Sequence, residues 1–197
     1  MPAQGAVEEE RERLVEVAGR LFVQLGYDAT TMQMIAGAAG TSVHQAGLLV
    51  GSKQQLYLEV MNRFTRAEAE HMRAAAELAT PDVVGLRMLA DSYLDFSVEH
   101  PELRALWVHR WLMDAADVEN VEDLYKPLVD SVVEMFKDKL REDYDLQLGV
   151  WNIIWIVNGF IHVGIVDEKG RRRFADHPPT LRRFRAYMHD VIERMAV

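Results

Sequence analysis

Cysteine is absent from this chain of 197 residues. Without thiols the protein has no disulfide framework, no thiolate metal site and no cysteine nucleophile. Disulfides are typical of small secreted proteins, so a reducing compartment inside the cell fits this composition at least as well as an extracellular one. We expect a cytoplasmic protein whose hydrophobic residues, 49% of the chain, build the core without crosslinks.

Long apolar runs are also lacking. The N-terminal stretch MPAQGAVEEERER has no basic region followed by an apolar one, so we expect no signal peptide. The most apolar stretch, residues 150–166, is interrupted by Asn152, Asn158 and His162. This pattern is short of a membrane span and predicts a buried helix, with no membrane among the partners.

Positive charge is scarce. The formal net charge is −9, and the first 60 residues contain four basic against seven acidic side chains. Such a balance excludes a protein that coats nucleic acid through bulk electrostatic attraction. A local surface that reads the edges of DNA bases remains compatible with it.

Motifs for catalysis are missing as well. The chain has no Gly-x-Ser-x-Gly elbow and no dinucleotide-binding glycine fingerprint. His100, His109 and Asp114 are close in sequence, but they do not have the i, i+4 spacing that places two metal ligands on one helix face. We therefore expect no enzyme, no cofactor and no metal site.

Helical periodicity, in contrast, recurs along the chain, and it predicts an all-α fold of about nine helices. The predicted helices span about residues 7–25, 32–39, 43–49, 53–79, 81–100, 101–113, 118–140, 146–166 and 180–195, and Thr80 is predicted to cap the fifth. The second and third are short and are separated by Gly40, which can adopt the left-handed conformation of a tight turn. This arrangement predicts a helix-turn-helix DNA-binding domain over residues 1–52 and a second helical domain over residues 53–197.

The segment from Ala18 to Ser42, AGRLFVQLGYDATTMQMIAGAAGTS, resembles the start of TetR-family regulators. That family typically has an Ala-x-x-Leu-Phe helix end, a Gly-Tyr pair, two threonines, an Ile-Ala pair and an Ala-Gly pair with serine two residues on. Each element is present at the expected spacing, and the resemblance covers about residues 11–60. It implies an N-terminal DNA-binding domain joined to a C-terminal helical domain for ligand binding and dimerisation.

Several residues of the first domain are candidates for DNA contact. Thr31 and Ser42 bring hydroxyls and free backbone amides to two helix N-termini, and Lys53 brings a full charge to a third, which suits phosphate. Gln45 can hydrogen-bond adenine bidentately and His44 can donate to a base or a phosphate, but the helix has no arginine or lysine for guanine. The predicted set is Thr31, Thr41, Ser42, Val43, His44, Gln45, Leu48 and Lys53.

The recognition helix departs from the family pattern. Relatives commonly have Gly-x-Leu-Tyr-x-(Tyr/His)-Phe where residues 44–50 read HQAGLLV. Gly47 stands where the resemblance implies a phosphate-binding tyrosine, and glycine inside a helix costs about 0.5–1 kcal/mol relative to alanine. Val50 replaces a phenylalanine that packs the helix onto its domain. A structural remnant without DNA affinity is the alternative reading of this segment.

The eighth predicted helix has two chemically different faces. Trp151, Trp155, Asn158 and His162 fall within about 60° of one another, at 100° per residue. The opposite side is aliphatic and is formed by Val150, Ile154, Val157, Ile161 and Ile165. The aromatic and polar face is a candidate for a ligand pocket or a subunit interface, and a core with satisfied polar groups is the alternative.

The resemblance also implies how the second domain works. TetR-like proteins dimerise through their last two long helices and hold an effector among the middle ones, which makes a homodimer and a small molecule the expected partners. An aromatic pocket favours a flat apolar or cationic ligand. The pocket residues expected on this basis are Tyr93, Phe96, Trp107, Trp111, Tyr125, Trp151, Trp155 and Asn158.

The sequence thus predicts a dimeric DNA-binding transcriptional regulator. We expect a repressor that occupies a palindromic operator on double-stranded DNA until a small apolar or aromatic ligand releases it. The alternative is a ligand-binding or protein-binding helical dimer that has kept the TetR-like fold with weak or no specific DNA binding.

Overall fold

The computed structural model describes residues 2–137 and 143–196. Nine α-helices and one short β-hairpin lie within these ranges, which confirms the predicted all-α fold. The elements are α1 (Pro2–Leu25), α2 (Met32–Ala39), α3 (Val43–Val50), α4 (Lys53–Ala76), α5 (Val83–Glu99), α6 (Pro101–Trp111), α7 (Glu122–Phe136), α8 (Leu146–Val163), β1 (Ile165–Val166), β2 (Arg172–Arg173) and α9 (Pro178–Ala196).

Some predicted boundaries are wrong for local reasons. α5 is capped by Asp82 and not by Thr80, because the Asp82 carboxylate accepts the amides of Val84 at 2.9 Å and Gly85 at 3.0 Å. α7 begins at Glu122 and not at residue 118. The left-handed backbone of Asn120, with φ of 64°, is incompatible with a helix there. The predicted end of this helix, residue 140, lies outside the described residues.

The predicted eighth helix also ends early. α8 stops at Val163, because the next residue, Gly164, has a φ of 67°. The chain then forms an antiparallel hairpin in which Ile165 pairs with Arg173 and Val166 with Arg172. The segment predicted as a polar connector therefore contains a small sheet.

The chain divides into two compact units. Unit 1 comprises the residues up to Thr65 together with Ala105–Leu124, and unit 2 comprises Arg66–Arg104 and Tyr125–Val197. This division differs from the predicted boundary between residues 52 and 53. α4 begins at that position, and its first half supplies buried residues to unit 1.

Unit 1 has an aromatic core formed by α1, the turn that follows it and α4. Phe22 of α1 meets Tyr57 of α4 edge to face with ring centroids 5.3 Å apart, and Tyr27 lies 4.9 Å from Tyr57. α2 buries Ile35 and Ala36. Small and apolar residues at three-and-four spacing thus pack the short helices onto α1 and onto each other.

An ion-pair network connects α1 to α4 within unit 1. The Arg63 guanidinium donates to both oxygens of Glu12, at 2.5 and 2.8 Å, and to Glu59 at 2.6 Å. Arg11 donates to the other oxygen of Glu59 at 2.5 Å. The hydrogen bond from Arg63 lowers the pKa of Glu12. Burial raises the pKa of Glu59, but the hydrogen bonds from Arg11 and Arg63 outweigh it and lower that pKa too.

The loop after α6 belongs to unit 1 as well. The Asp114 carboxylate accepts the backbone amide of Tyr27 at 2.7 Å and that of Asp28 at 3.0 Å. In return, the Asp28 carboxylate accepts the amide of Ala115 at 3.3 Å. A segment about 87 residues away in the chain thereby holds the turn between α1 and α2.

Unit 2 contains α8, the most apolar long helix among the described residues. In the part of the chain that the structure describes, it is the one helix long and apolar enough to cross a membrane. The polar residues within it were expected to make it too short for a membrane span, but its length and composition alone do not exclude one. A core helix passes the same test. Ile153, Val157 and Phe160 are buried, and the Phe160 ring stacks on Phe184 of α9 with centroids 4.1 Å apart. These contacts are typical of a core helix.

The network between α1 and α4 predicts a specific response to acid. A carboxyl whose pKa is lowered by folding stabilises the fold above its ordinary pKa, near 4.5 here, and loses that contribution as the pH falls through the folded value. We expect Arg63→Met to be less stable than the wild type at pH 6 and the difference to shrink at pH 3. Urea midpoints followed by circular dichroism measure this, with Arg20→Met, an exposed arginine on α1, as the matched control. An equal difference at the two pH values would contradict the assignment.

Candidate functional site

The helix-turn-helix is held by caps at each end of its turn. The Thr31 hydroxyl oxygen accepts the amide of Met34 at 3.2 Å and begins α2. Gly40 ends α2 in the left-handed conformation, with φ of 75°. The Ser42 hydroxyl oxygen accepts the amide of Gln45 at 3.1 Å and begins α3. Each hydroxyl retains a proton that it can donate to a phosphate.

α3 presents a defined face to solvent. Val43, His44, Gly47 and Leu48 are exposed, and Gln45 is half-buried. Ala46 and Val50 face the domain core, so Val50 occupies the packing position that the resemblance gives to phenylalanine. Four of the eight predicted DNA-contact residues thus lie on α3, three of them exposed and one partly covered.

Two other predicted contacts already have protein partners. The Lys53 ammonium donates to the backbone oxygens of Tyr27 at 3.0 Å and Thr30 at 3.1 Å, and it lies 3.8 Å from the centre of the Tyr27 ring. Two of its three donors are thereby used inside the domain. The Thr41 hydroxyl donates to the Glu10 carboxylate at 2.8 Å. Their contact with DNA stays a prediction, and each has a structural role besides.

Arg13 is a cation at the turn that sequence reasoning missed. It is exposed on α1, and its Nε donates to the backbone oxygen of Ala39 at 3.1 Å, next to Gly40. Among the described residues only its Nε has a hydrogen-bond partner, so its two terminal nitrogens are suited to a phosphate. The periodicity of α1 predicts that Arg13 is exposed, because it lies opposite the buried stripe of that helix. The sequence does not predict that Arg13 lies close to the turn after α2.

Unit 2 contains a buried cluster of five polar side chains, which we call the polar cluster. Each member comes from a different helix, α4 to α8, and none exposes more than 6% of its surface. Its members are Glu68, Tyr93, Arg104, Tyr125 and Asn158. Three of them, Tyr93, Tyr125 and Asn158, were predicted to line the pocket, and the structure brings these three together.

An ion pair forms the centre of the polar cluster. Both terminal nitrogens of Arg104 donate to the Glu68 carboxylate, one of them at 3.2 Å. The same guanidinium donates to the Tyr93 hydroxyl at 3.0 Å, and the Asn158 amide donates to that hydroxyl at 2.9 Å. Tyr125 donates to Glu68 at 3.3 Å. Burial raises the pKa of both tyrosines, which keeps their hydroxyls neutral.

Two atoms of the polar cluster have unused hydrogen-bonding capacity. Arg104 Nε and Asn158 Oδ1 are buried and have no hydrogen-bond partner among the described residues. Buried polar atoms are nearly always paired in proteins, so these two indicate a polar guest, either water or a ligand. One is a donor and the other an acceptor.

Glu68 and Arg104 were not predicted, although a signal existed for Glu68. It continues the three-and-four stripe of buried α4 residues that runs through Tyr57, Met61 and Thr65. A charged residue on such a stripe predicts a buried ion pair. Its partner, 36 residues away, depends on how the helices pack and has no local signal.

The remaining predicted pocket residues have different surroundings. Phe96 is buried, and the guanidinium carbon of Arg104 lies 5.9 Å from the centre of the Phe96 ring. Trp151 lies 6.1 Å from Tyr125 and stacks on Trp155, of which 54% is exposed. The other two, Trp107 and Trp111, belong to unit 1, with ring centroids 6.0 Å apart. The aromatic and polar face of α8 is therefore divided: Asn158 is buried and Trp155 is exposed.

An apolar stripe runs along the exposed side of α8. It consists of Leu148, Trp155 and Val163, each more than half exposed, with Gly159 between the last two. A Cβ at Gly159 would have no atom within 4 Å in the single chain. The stripe follows helical spacing and is suited to close packing against another helix.

Comparison with known proteins identifies the N-terminal part. The family model described as bacterial regulatory proteins of the tetR family matches residues 14–60, which span α1 to the first half of α4. Residues 14–60 are therefore similar to the DNA-binding part of that family, and the match covers about a quarter of the chain. The resemblance seen in residues 18–42 is thereby confirmed, and the family that the model describes consists of bacterial regulatory proteins.

A curated relative is similar to about half of the chain. The HTH-type transcriptional activator FasR of Mycolicibacterium smegmatis is 33% identical over 93 residues. That match includes 47% of this chain and 42% of the relative, so the chain aligns with less than half of that protein's length.

Solved structures share the fold over nearly the whole chain. The fatty acid degradation regulator FadR from Bacillus halodurans has a TM-score of 0.65 and 15% identity, and 94% of each chain is covered. AibR, solved in complex with isovaleryl coenzyme A and operator DNA, has a TM-score of 0.70 and 19% identity, covering 91% of this chain and 96% of that one. At these identities the likeness extends to the fold alone.

The polar cluster predicts a strong coupling between its two charged members. Removing one partner of a buried ion pair leaves an unpaired charge and costs about 3–5 kcal/mol, whereas apolar replacement of both is far cheaper. We expect Arg104→Met and Glu68→Leu each to be severely destabilised and the double variant to be more stable than either. Urea unfolding of the four proteins measures the coupling energy.

An exposed ion pair supplies the control for this cycle. Arg87 donates to Glu193 at 2.9 Å, and Arg87→Met is expected to cost less than about 1 kcal/mol. Additive effects of the two substitutions in the polar cluster would show that Arg104 and Glu68 are not coupled.

Proposed function

We propose that this chain is a homodimeric transcriptional repressor of the TetR type that binds a palindromic operator through α3 of each copy. The observation that carries the proposal is the capped helix-turn-helix, from which α3 presents Val43, His44 and Leu48 to solvent. A recognition helix of this kind enters the major groove with its N-terminal residues at the base edges.

Phosphate contacts are proposed from the groups around the turn. Arg13 has its terminal nitrogens available, Lys53 has one donor left, and Thr31 and Ser42 each have a hydroxyl proton. These groups come from α1, from α4 and from the two caps. They supply orientation on the duplex, whereas α3 supplies the choice of sequence.

The second copy is proposed to cover the apolar stripe of α8. Three large apolar side chains exposed along one helix are unfavourable in a lone monomer, and a symmetric partner would bury them. Tyr187 on the neighbouring α9 is also 55% exposed. The same two helices are those that the resemblance implies for dimerisation, and two recognition helices are what a palindrome requires.

The effector is proposed to bind in unit 2 next to the polar cluster. Arg104 Nε and Asn158 Oδ1 offer a donor and an acceptor, and Phe96 and Trp151 offer aromatic surface nearby. A small ligand with an apolar or aromatic body and a polar group fits this chemistry. AibR provides a precedent, since that protein was solved with a small-molecule thioester and operator DNA together.

A second candidate function is a ligand-binding or protein-binding dimer without specific DNA affinity. The observation that favours it is the lack of arginine and lysine in both helices of the helix-turn-helix, α2 and the recognition helix α3. Such a dimer would keep the ion pairs and the apolar stripe but would select no DNA sequence.

Selection from genomic DNA separates the two functions. The full chain is incubated with sheared genomic DNA, bound fragments are sequenced, and the enriched site is measured by fluorescence anisotropy. We expect a palindromic site, with Arg13→Gln binding it about tenfold more weakly because each dimer loses two phosphate contacts. Arg20→Gln is the matched control on the same helix and is expected to bind as the wild type does.

The sign of regulation is read from a reporter gene downstream of the selected site. Repression by the wild type and its relief in Arg13→Gln support the proposal. Increased expression would make the chain an activator, as FasR is named, and no enriched site at all would favour the second candidate function.

A further inference from the structure

The exposed face of α3 contains two large apolar side chains and no arginine, lysine or carboxylate. Leu48 is 69% exposed and Val43 is 41% exposed, and between them the face contains Gly47 and His44. At 100° per residue these four positions fall within an arc of about 140° in the order Val43, Gly47, His44, Leu48. The half-buried Gln45 follows at the edge of this arc.

These side chains have no evident role in the fold. The packing of α3 onto its domain is supplied by Ala46 and Val50, which point the other way and are buried. A leucine on the surface that contacts the major groove remains exposed in the free protein and becomes covered only when DNA is bound. Its chemistry therefore indicates what the groove must offer.

The major groove offers an apolar group at one base only. Each thymine displays its C5-methyl group there, whereas guanine, cytosine and adenine display hydrogen-bonding atoms. Guanine is read mainly by arginine or lysine, and residues 32–50 contain neither. The face of α3 is thus suited to thymine methyl groups and, through Gln45, to adenine.

Gly47 allows the close approach that methyl contact needs. A Cβ built at this position would have no atom within 4 Å, so the surface between Val43 and Leu48 is open and low. The backbone of α3 can then come nearer to the base edges than a larger side chain would permit. This gives a physical role to the residue that departs most from the family pattern.

We propose that Leu48 and Val43 determine specificity by contacting the C5-methyl groups of thymines in each operator half-site. The inference rests on the proposed function, because it presupposes that α3 enters the major groove. Beyond that function, it names thymine as the base that is recognised and Leu48 and Val43 as the side chains that recognise it.

Replacement of thymine by uracil tests the proposal without changing the protein. Uracil keeps the hydrogen-bonding pattern of thymine and lacks only the methyl group. Two random-sequence duplex libraries, one made with thymine and one with uracil, are selected with the full chain. The best thymine duplex is then resynthesised with single uracil replacements, and each is measured by anisotropy.

We expect one or two positions per half-site where uracil weakens binding by about fourfold, the factor for one buried methyl-sized group. In Leu48→Ala or Val43→Ala the effect at the corresponding position should disappear. Leu78→Ala is the matched control, because Leu78 is 78% exposed and lies outside the helix-turn-helix. It should retain the full difference between thymine and uracil.

The outcomes distinguish this inference from the proposed function. Enrichment of a specific site that binds equally well with uracil throughout would overturn methyl recognition and leave the regulator intact. A uracil effect that persists in both alanine variants would likewise overturn the role of these two residues. No sequence selection from either library would overturn the proposed function and, with it, this inference.

Discussion

The turn between α1 and α2 is the constraint on which unit 1 depends. Its carbonyls are held by the Lys53 ammonium, and its amides are held by the Asp114 carboxylate. The two charges come from α4 and from the loop after α6, so distant parts of the chain meet at one short segment. Because α2 and α3 follow this turn directly, its conformation sets the direction in which the recognition helix leaves the domain.

Charge is distributed so that few cations remain for DNA. Arg11 and Arg63 are engaged with carboxylates between α1 and α4, and Lys53 is mostly engaged in the turn. Arg13 is the exception close to the helix-turn-helix. A protein with a net charge of −9 that binds DNA in this way depends on base contacts more than on phosphate attraction. The apolar face of α3 is consistent with that balance.

Local signals predicted much of this architecture. The cap at Thr31, the left-handed Gly40 and the cap at Ser42 are encoded by residues next to the helices they bound, and α2 has the bounds that were predicted. What depends on packing was not predictable. The role of Lys53 in the turn, the proximity of Arg13 to α2 and the pairing of Glu68 with Arg104 each join residues 23 or more positions apart. Periodicity identifies a buried face, but it does not identify the partner on that face.

Specific binding with few phosphate contacts is tested most directly by the dependence of affinity on salt. The logarithm of the binding constant falls with the logarithm of the salt concentration by about 0.9 for each phosphate neutralised. Arg13 and Lys53 of two copies give four cations, so a slope no steeper than about −4 is expected on the selected duplex. A slope of about −8 or steeper would show that phosphate attraction by other cations dominates, and it would contradict an interface that reads DNA mainly through α3.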